Sequence, residues 1–319
     1  MDRNLALEFV RVTEAAALGC GMWVGKGDRN GADQAACDAM RNTLNQLDIS
    51  GTIVIGEGER DEAPMLFIGE EVGKGNGHTV EIAVDPLEGT NLCANGLAGA
   101  ISVLAAATVG EGSLMHAPDC YMDKLVVGEA ARGAIDISLP PTANLRMIAK
   151  CLSKDVAEIT VGVLDRPRHE KLISEIRDAG ARIRLITDGD ITLAIAAIDP
   201  LTGIDALMGT GGAPEGVITA AAVRCVGGDM QARLVFRNDE ERGRAEKMVP
   251  GNIDRVFMTD DLASGNVMFA ATGITSGDLL KGVRYVADGA YTESIVMRSQ
   301  SGTVRQIHTR HRFEAAPAY

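Results

Sequence analysis

Val84-Asp85-Pro86-Leu87-Glu88-Gly89-Thr90-Asn91 is the stretch from which this chain is read. The run leading into it, Val80-Glu81-Ile82-Ala83-Val84, is a short apolar strand. Pro86 has no N–H to give a ladder and is expected to end that strand. Two carboxylates three residues apart follow, with Gly89-Thr90 beside them. Carboxylate oxygens suit hard cations such as Mg²⁺ or Mn²⁺. If a helix starts here, the N–H groups of Gly89, Thr90 and Asn91 face an anion. The plain alternative is an Asp-Pro turn with solvated acids.

Working outward, the preceding strand tells against the plain alternative. Gly51-Thr52-Ile53-Val54-Ile55 reads as a buried strand and ends in Gly56-Glu57-Gly58, where glycines on both sides of Glu57 permit a close backbone approach. Upstream, residues 3–24 carry Leu5, Phe9, Val12 and Ala16 at helical spacing. After the loop Gly25–Gly31, a second helix over about 32–47 has Asp33 in its first turn, near an Asn30 cap. An acid there complements the helix dipole. Two successive strands each ending in an acid, with a third acid brought by a helix, point instead to a metal cluster.

Downstream, 98–109 is a buried strand, Ala117–Met122 a turn containing Tyr121, and strands near 123–127 and 133–138 are expected to complete a first sheet. Pro140-Pro141 and a helix from Asn144 to Leu152 mark the passage to a second unit. The expected division is a metal-binding α+β domain over 1–155 and an α/β substrate-binding domain over 156–319, the last strands returning to the first sheet.

The second unit opens as a βαβ unit: strand 159–164, helix 169–179 stopped by Gly180, strand 182–186. Ligands of such sheets bind beyond the carboxyl ends of the strands. Those ends carry Asp165-Arg166-Pro167-Arg168-His169 and Thr187-Asp188-Gly189-Asp190. Two arginines at a helix start oppose its dipole, a mild electrostatic cost that favours a phosphate fork. A helix over 190–198, a strand over 205–208 and a glycine-rich loop over 209–216 follow, with Pro214 suited to the first helical position and Glu215 behind it. The loop lacks the Lys-Ser/Thr of a P-loop. Residues 237–248 are a charged helix, 267–273 a strand, and 291–298 with 301–308 a hairpin turning at Ser301-Gly302. His308 and His311 have no other ligand nearby in sequence.

Composition narrows the partners. A formal charge of −13 over 319 residues argues against a nucleic-acid partner, which needs Lys/Arg clusters for its phosphates, and 3% aromatics argue against a base-stacking platform. The six cysteines form no C-x-x-C pair, which fits reduced thiols in the cytoplasm. Neither a signal peptide nor an apolar run of membrane-spanning length is seen.

Asp85-Pro86-Leu87-Glu88-Gly89-Thr90 resembles the D-P-[IL]-[DE]-[GS]-[TS] signature of lithium-sensitive, metal-dependent phosphatases, and within them the bacterial class II fructose-1,6-bisphosphatases of the GlpX type. Supporting stretches are Gly27–Asp33, Gly51–Glu59, Ala117–Met122, Arg166–His169, Asp188–Asp190 and Gly211–Gly216, in the family's order across roughly residues 3–310. The resemblance implies a five-layer α/β/α/β/α sandwich and hydrolysis of the 1-phosphate of fructose 1,6-bisphosphate with Mn²⁺ or Mg²⁺. It implies a metal shell of Asp33, Glu57, Asp85, Glu88 and Glu215. Asp33 and Thr90 would orient and deprotonate the attacking water. Glu88, Gly89, Thr90, Tyr121, Arg166, Arg168, Asp188, Asp190 and Gly212 would contact substrate. Arg29 stands where relatives often carry a Lys near the reacting phosphate; it keeps the charge but not the shape. A homo-oligomer, dimer or tetramer, is expected, as is activity on sedoheptulose 1,7-bisphosphate as an alternative. Two rivals are a phosphatase using Asp188-Gly189-Asp190-Ile191-Thr192 as an aspartyl-phosphate motif, and a non-catalytic sugar-phosphate binder on the same fold.

Overall fold

The computed structural model describes residues 4–58, 65–249 and 251–313. It is an α/β protein of two units: residues up to Leu114 together with those from Gly265 onward, and Met115–Ser264. The chain therefore divides at 114/115 and 264/265 rather than at 155/156. Pro140-Pro141 starts a helix inside the second unit, because Pro141 fits a first helical turn where no N–H is needed.

The first unit is built from helices α1 (Leu5–Gly21) and α2 (Arg29–Leu44), strands β1 (Ile49–Ile55), β2 (Glu71–Val72) and β3 (His78–Glu88), the short helix α3 (Thr90–Asn95), and β4 (Ile101–Leu114). The second unit supplies β5 (Tyr121–Val127), α4 (Pro141–Leu152), β6 (Thr160–Leu164), α5 (Glu170–Asp178), β7 (Arg182–Ile186), α6 (Asp190–Ile198), β8 (Ala206–Gly212), α7 (Ala213–Cys225), β9 (Asp229–Val235), α8 (Asp239–Met248) and β10 (Phe257–Met258). Strands β11 (Ala263–Gly273), β12 (Arg284–Val286), β13 (Gly289–Arg298) and β14 (Thr303–Arg312) return to the first unit's sheet.

That sheet has eight strands in the order β12-β13-β11-β4-β3-β1-β2, with β14 beside β13. Helices α1 and α2 cover one face. Phe9 and Val12 from α1, with Ala36, Met40 and Leu44 from α2, pack on Ile53, Val80, Ile82, Val84 and Leu104. The spacing of three and four that made these segments read as helices is the spacing that gathers those side chains on one side.

The second sheet is six-stranded, β10-β9-β5-β8-β6-β7. β6 and β7 are parallel around α5, as the βαβ pattern predicts. Val161 and Val163 pack with Leu145 and Ile148 of α4 and Ile173 and Ile176 of α5. The alternate residue, Gly162, lies under Leu193 of α6, so helices cover both faces.

Four sequence readings change. β5 belongs to the second sheet, antiparallel to β8 and β9, and residues 133–138 are turns, tied down when Gln231 accepts the N–H of Ile137 and donates to the carbonyl of Ile135. Gly209–Gly212 is strand rather than loop, paired with Tyr121–Lys124. β9 carried too mixed a sequence to be read as a strand. Helix α2 starts at Arg29, capped by Asp28, whose carboxylate accepts the Gly31 N–H at 2.9 Å; Asn30 lies inside the first turn.

Candidate metal centre and substrate site

Asp85 and Glu88 owe their position to a bulge. β3 does not end at Pro86: Asp85 pairs with Val103 and Glu88 with Ile101, so three steps on β3 oppose two on β4. Pro86, which cannot donate, sits in that irregular step. In a regular strand residues three apart point to opposite faces. The extra residue changes the phase, and carboxylate oxygens of Asp85 and Glu88 lie within 4.8 Å of one another. Asp85 also accepts the Leu87 N–H at 3.1 Å. Gly89 then turns the chain with φ +87°, a region costly for other residues, and α3 begins at Thr90. The Thr90 hydroxyl donates to the Leu87 carbonyl at 3.2 Å, leaving its oxygen lone pairs as acceptors.

Asp33 and Glu57 meet in a second group. Asp33 lies one turn inside α2, and Cys37, four residues on, shares its face. Glu57 follows β1 after Gly56, where an added Cβ would come within 1.9 Å of the Leu66 carbonyl oxygen; the same carbonyl accepts the Glu57 N–H at 3.1 Å. One ligand atom each from Asp33, Cys37 and Glu57 fall within 4.8 Å of one another. Burial, and then repulsion from Asp33, push Glu57 up to about 7, while a hydrogen bond from Cys37 pulls the other way. Burial also raises Asp33, partly offset by Arg29 at the first position of α2. Cys37 is 5% exposed, and burial with the carboxylates of Glu57, Asp33 and Asp85 raises its thiol far above the ordinary range. It therefore stays a thiol that donates to Glu57. Two carboxylates that resist ionising together, beside a buried thiol, form a group that a divalent cation would neutralise. Sequence inspection did not single out Cys37; its signal was the helical spacing from Asp33.

In the second unit, Glu215 stands in the first turn of α7. Its Oε2 is buried and has no hydrogen-bond partner among the described residues. Burial raises its carboxyl, against the pull of Lys124. A buried, orphaned carboxylate oxygen fits a cation ligand. Gly212 is required beside it: a Cβ there would sit 1.9 Å from Glu215 Oε2.

The substrate candidates of this unit divide in two. Arg166 is ion-paired with Asp188. Arg168 donates from Nε and Nη2 to the Thr210 carbonyl at 3.1 and 2.8 Å, and its guanidinium lies 4.9 Å from the centre of the Tyr121 ring. Asp190 is instead bound to Lys124 at 2.6 Å, the two side chains 9% and 1% exposed. A buried lysine without that partner would be strongly disfavoured, so Asp190 holds a structural charge as well as any substrate contact. Lys124 went unnoticed in the sequence because it occupies the inward phase of β5 with Met122 and Val126, where an apolar residue is the rule. With both aspartates engaged by cations, Asp188-Gly189-Asp190 does not present an uncommitted nucleophile. His169, next to Arg168, is a clamp. Its Nε2 accepts the Thr210 N–H at 2.8 Å, which leaves Nδ1–H to donate to the Leu164 carbonyl at 2.7 Å. Burial lowers its pKa and keeps it neutral.

A sequence model described as "Bacterial fructose-1,6-bisphosphatase, glpX-encoded" matches residues 3–311. Among curated proteins, a Synechococcus sp. (strain JA-3-3Ab) protein named D-fructose 1,6-bisphosphatase class 2/sedoheptulose 1,7-bisphosphatase is 48% identical over 336 residues, 98% of this chain and 96% of that protein. A protein of the same name from Thermosynechococcus vestitus is 48% identical over 340 residues, 98% of this chain and 97% of that one. Among solved structures, an extragenic suppressor from Pyrococcus furiosus is 15% identical, with a TM-score of 0.29 over 61% of this chain and 68% of that one. The chain is a phosphoric monoester hydrolase by family. It belongs to the glpX-encoded, class II bacterial fructose-1,6-bisphosphatases.

Proposed function

We propose that the chain hydrolyses the 1-phosphate of fructose 1,6-bisphosphate to fructose 6-phosphate and phosphate, using Mg²⁺ or Mn²⁺ held by Asp33, Glu57, Asp85, Glu88 and Glu215. The observation that carries this is the bulge that turns Asp85 and Glu88 to one side, next to a Thr90 whose oxygen is left to accept. When bound, divalent cations supply charge neutralisation and a water acidified toward neutral pH.

The residues do the rest. Thr90 accepts a hydrogen bond from the attacking water and sets its line of approach. Asp33, raised by burial, takes the water's proton. Arg29 supplies positive charge to the reacting phosphate from the exposed start of α2. Gly89 and the N–H groups that follow it contact that phosphate's oxygens. Tyr121, Arg166 and Arg168 bind the other phosphate, and Asp188, Asp190 and the backbone of Gly212 hold the sugar.

The second reading, a bifunctional enzyme that also takes sedoheptulose 1,7-bisphosphate, is supported by the double name of the relatives at 48–49% identity. Phosphate release from the two bisphosphates and from inositol 1-phosphate separates the readings. Turnover of both bisphosphates makes the chain bifunctional. Turnover of inositol 1-phosphate alone overturns the bisphosphate assignment. The six cysteines are free and no helix among the described residues is long and apolar enough to cross a membrane. We infer a cytoplasmic homo-oligomer, and light scattering tests the expected dimer or tetramer.

A further inference from the structure

The second unit holds a guanidinium that the roles above do not use. Two arginines lie against the ring of Tyr121: Arg168, 4.9 Å from its centre, and Arg237, 5.1 Å from it. Each is pinned along one edge. Arg168 gives two N–H groups to the Thr210 carbonyl. Arg237 gives its Nε–H to one oxygen of Glu241 and its backbone N–H to the other, at 2.8 Å in the second case.

Glu241 is 2% exposed, whereas the Arg237 side chain is 49% exposed. The anchor is therefore buried and the outer N–H groups of the guanidinium face solvent. The pairing with Arg237 holds the Glu241 carboxyl below its usual range, against the effect of burial. Asp119 stands 3.9 Å from Arg237 Nη2, close enough to steer it and too far for a hydrogen bond.

A guanidinium already held in one orientation loses little freedom when it binds an anion. Its planar fork matches the oxygens of a phosphate. We propose that Arg237 is a specificity-determining residue that binds the phosphate not being hydrolysed, together with Tyr121 and Arg168. It thereby selects bisphosphates over sugar monophosphates. The inference rests on the proposed function and adds to it a residue from the start of the charged segment before α8.

The test is steady-state kinetics on fructose 1,6-bisphosphate and on fructose 1-phosphate, which lacks the distal phosphate, with Arg237→Gln and Arg237→Lys. For Arg237→Gln the KM for the bisphosphate is expected to rise about tenfold or more, the loss of one charge-assisted contact, with kcat within about twofold. The KM for fructose 1-phosphate is expected to stay unchanged. Arg237→Lys, which keeps the charge without the fork, is expected to fall between the two. Equal losses on both substrates would mean that Arg237 serves only to hold α8, and an unchanged bisphosphate KM would overturn its role outright. Wild-type protein that turns over neither substrate would instead remove the proposed function, and this inference with it.

Discussion

With Glu57 as the proposed metal ligand, metal binding is expected to depend on pH. A free glutamate titrates near 4.5; here burial and Asp33 bring Glu57 up to about 7. A cation binds the carboxylate, so binding must displace a proton wherever Glu57 is protonated. At pH 8 about nine-tenths of Glu57 is ionised, and at pH 6 about one-tenth. Metal affinity is therefore expected to fall about tenfold from pH 8 to pH 6 on account of Glu57 alone. Near pH 7 about half a proton is released per metal bound. Asp33, shifted in the same direction by the same burial, adds to the effect. Cys37 adds nothing, because its thiol stays protonated throughout. Titration calorimetry with Mn²⁺ in buffers of different ionisation enthalpy reads the proton count directly, and Glu57→Gln is expected to reduce it. The stability of the metal-free protein runs the opposite way with pH. A carboxyl raised in the folded state favours folding below its unfolded value and loses that contribution as pH rises through about 7. Metal-free protein is thus expected to melt lower at pH 8 than at pH 5.5, and added metal to restore the difference. An affinity flat from pH 6 to 8, with no proton release at pH 7, would refute the reasoning.

Other outcomes follow from the same contacts. Asp85→Asn keeps the shape but removes the residue's negative charge, and phosphate release is expected to fall at least about a thousandfold with an unchanged melting temperature; near wild-type rates would sink the site assignment. Gly212→Ala places a methyl 1.9 Å from Glu215 Oε2, so Mn²⁺ affinity is expected to drop while circular dichroism stays that of the parent. His169→Leu leaves the Thr210 N–H and the Leu164 carbonyl without their partner, and denaturant unfolding is expected to show a loss of about 2–3 kcal/mol. Met40→Ala opens a cavity in the core beneath α2, where Met40 is 0% exposed, at a cost of about 2–5 kcal/mol by the same measurement.

Much of this protein was legible from its residues, in proportion to how local the physics is. The helical spacing of Phe9, Val12 and Ala16 and of Ala36, Met40 and Leu44 depends on near neighbours only, and α1 and α2 lie where the periodicity puts them. The βαβ unit from β6 to β7 was legible for the same reason. Pro86 was misleading because its missing N–H matters only if the partner strand needs it, and the bulge against β4 removes that need. The glycines of 209–212 suggested a loop, yet their bare backbones make room for Asp190 and Glu215 while β5 supplies the ladder. β5 itself was placed in the wrong sheet, since its partners β8 and β9 lie about 80 to 110 residues further along and nothing in Tyr121–Val127 specifies them. The acids of the first unit were picked out because they lie near strand ends and a helix start, and Asp33 comes together with Glu57, and Asp85 with Glu88. Cys37, Lys124 and Arg237 were not, because each matters through a partner that sequence distance hides: Glu57, Asp190 and Tyr121.

The most direct test of the whole account is phosphate release from fructose 1,6-bisphosphate by metal-stripped protein, before and after Mn²⁺ or Mg²⁺ is returned, with and without Li⁺. The account predicts no release from the stripped protein, recovery with either cation, suppression by Li⁺, and fructose 6-phosphate as the sugar product. Turnover that persists in the stripped protein, or a product that has lost its 6-phosphate, would contradict it.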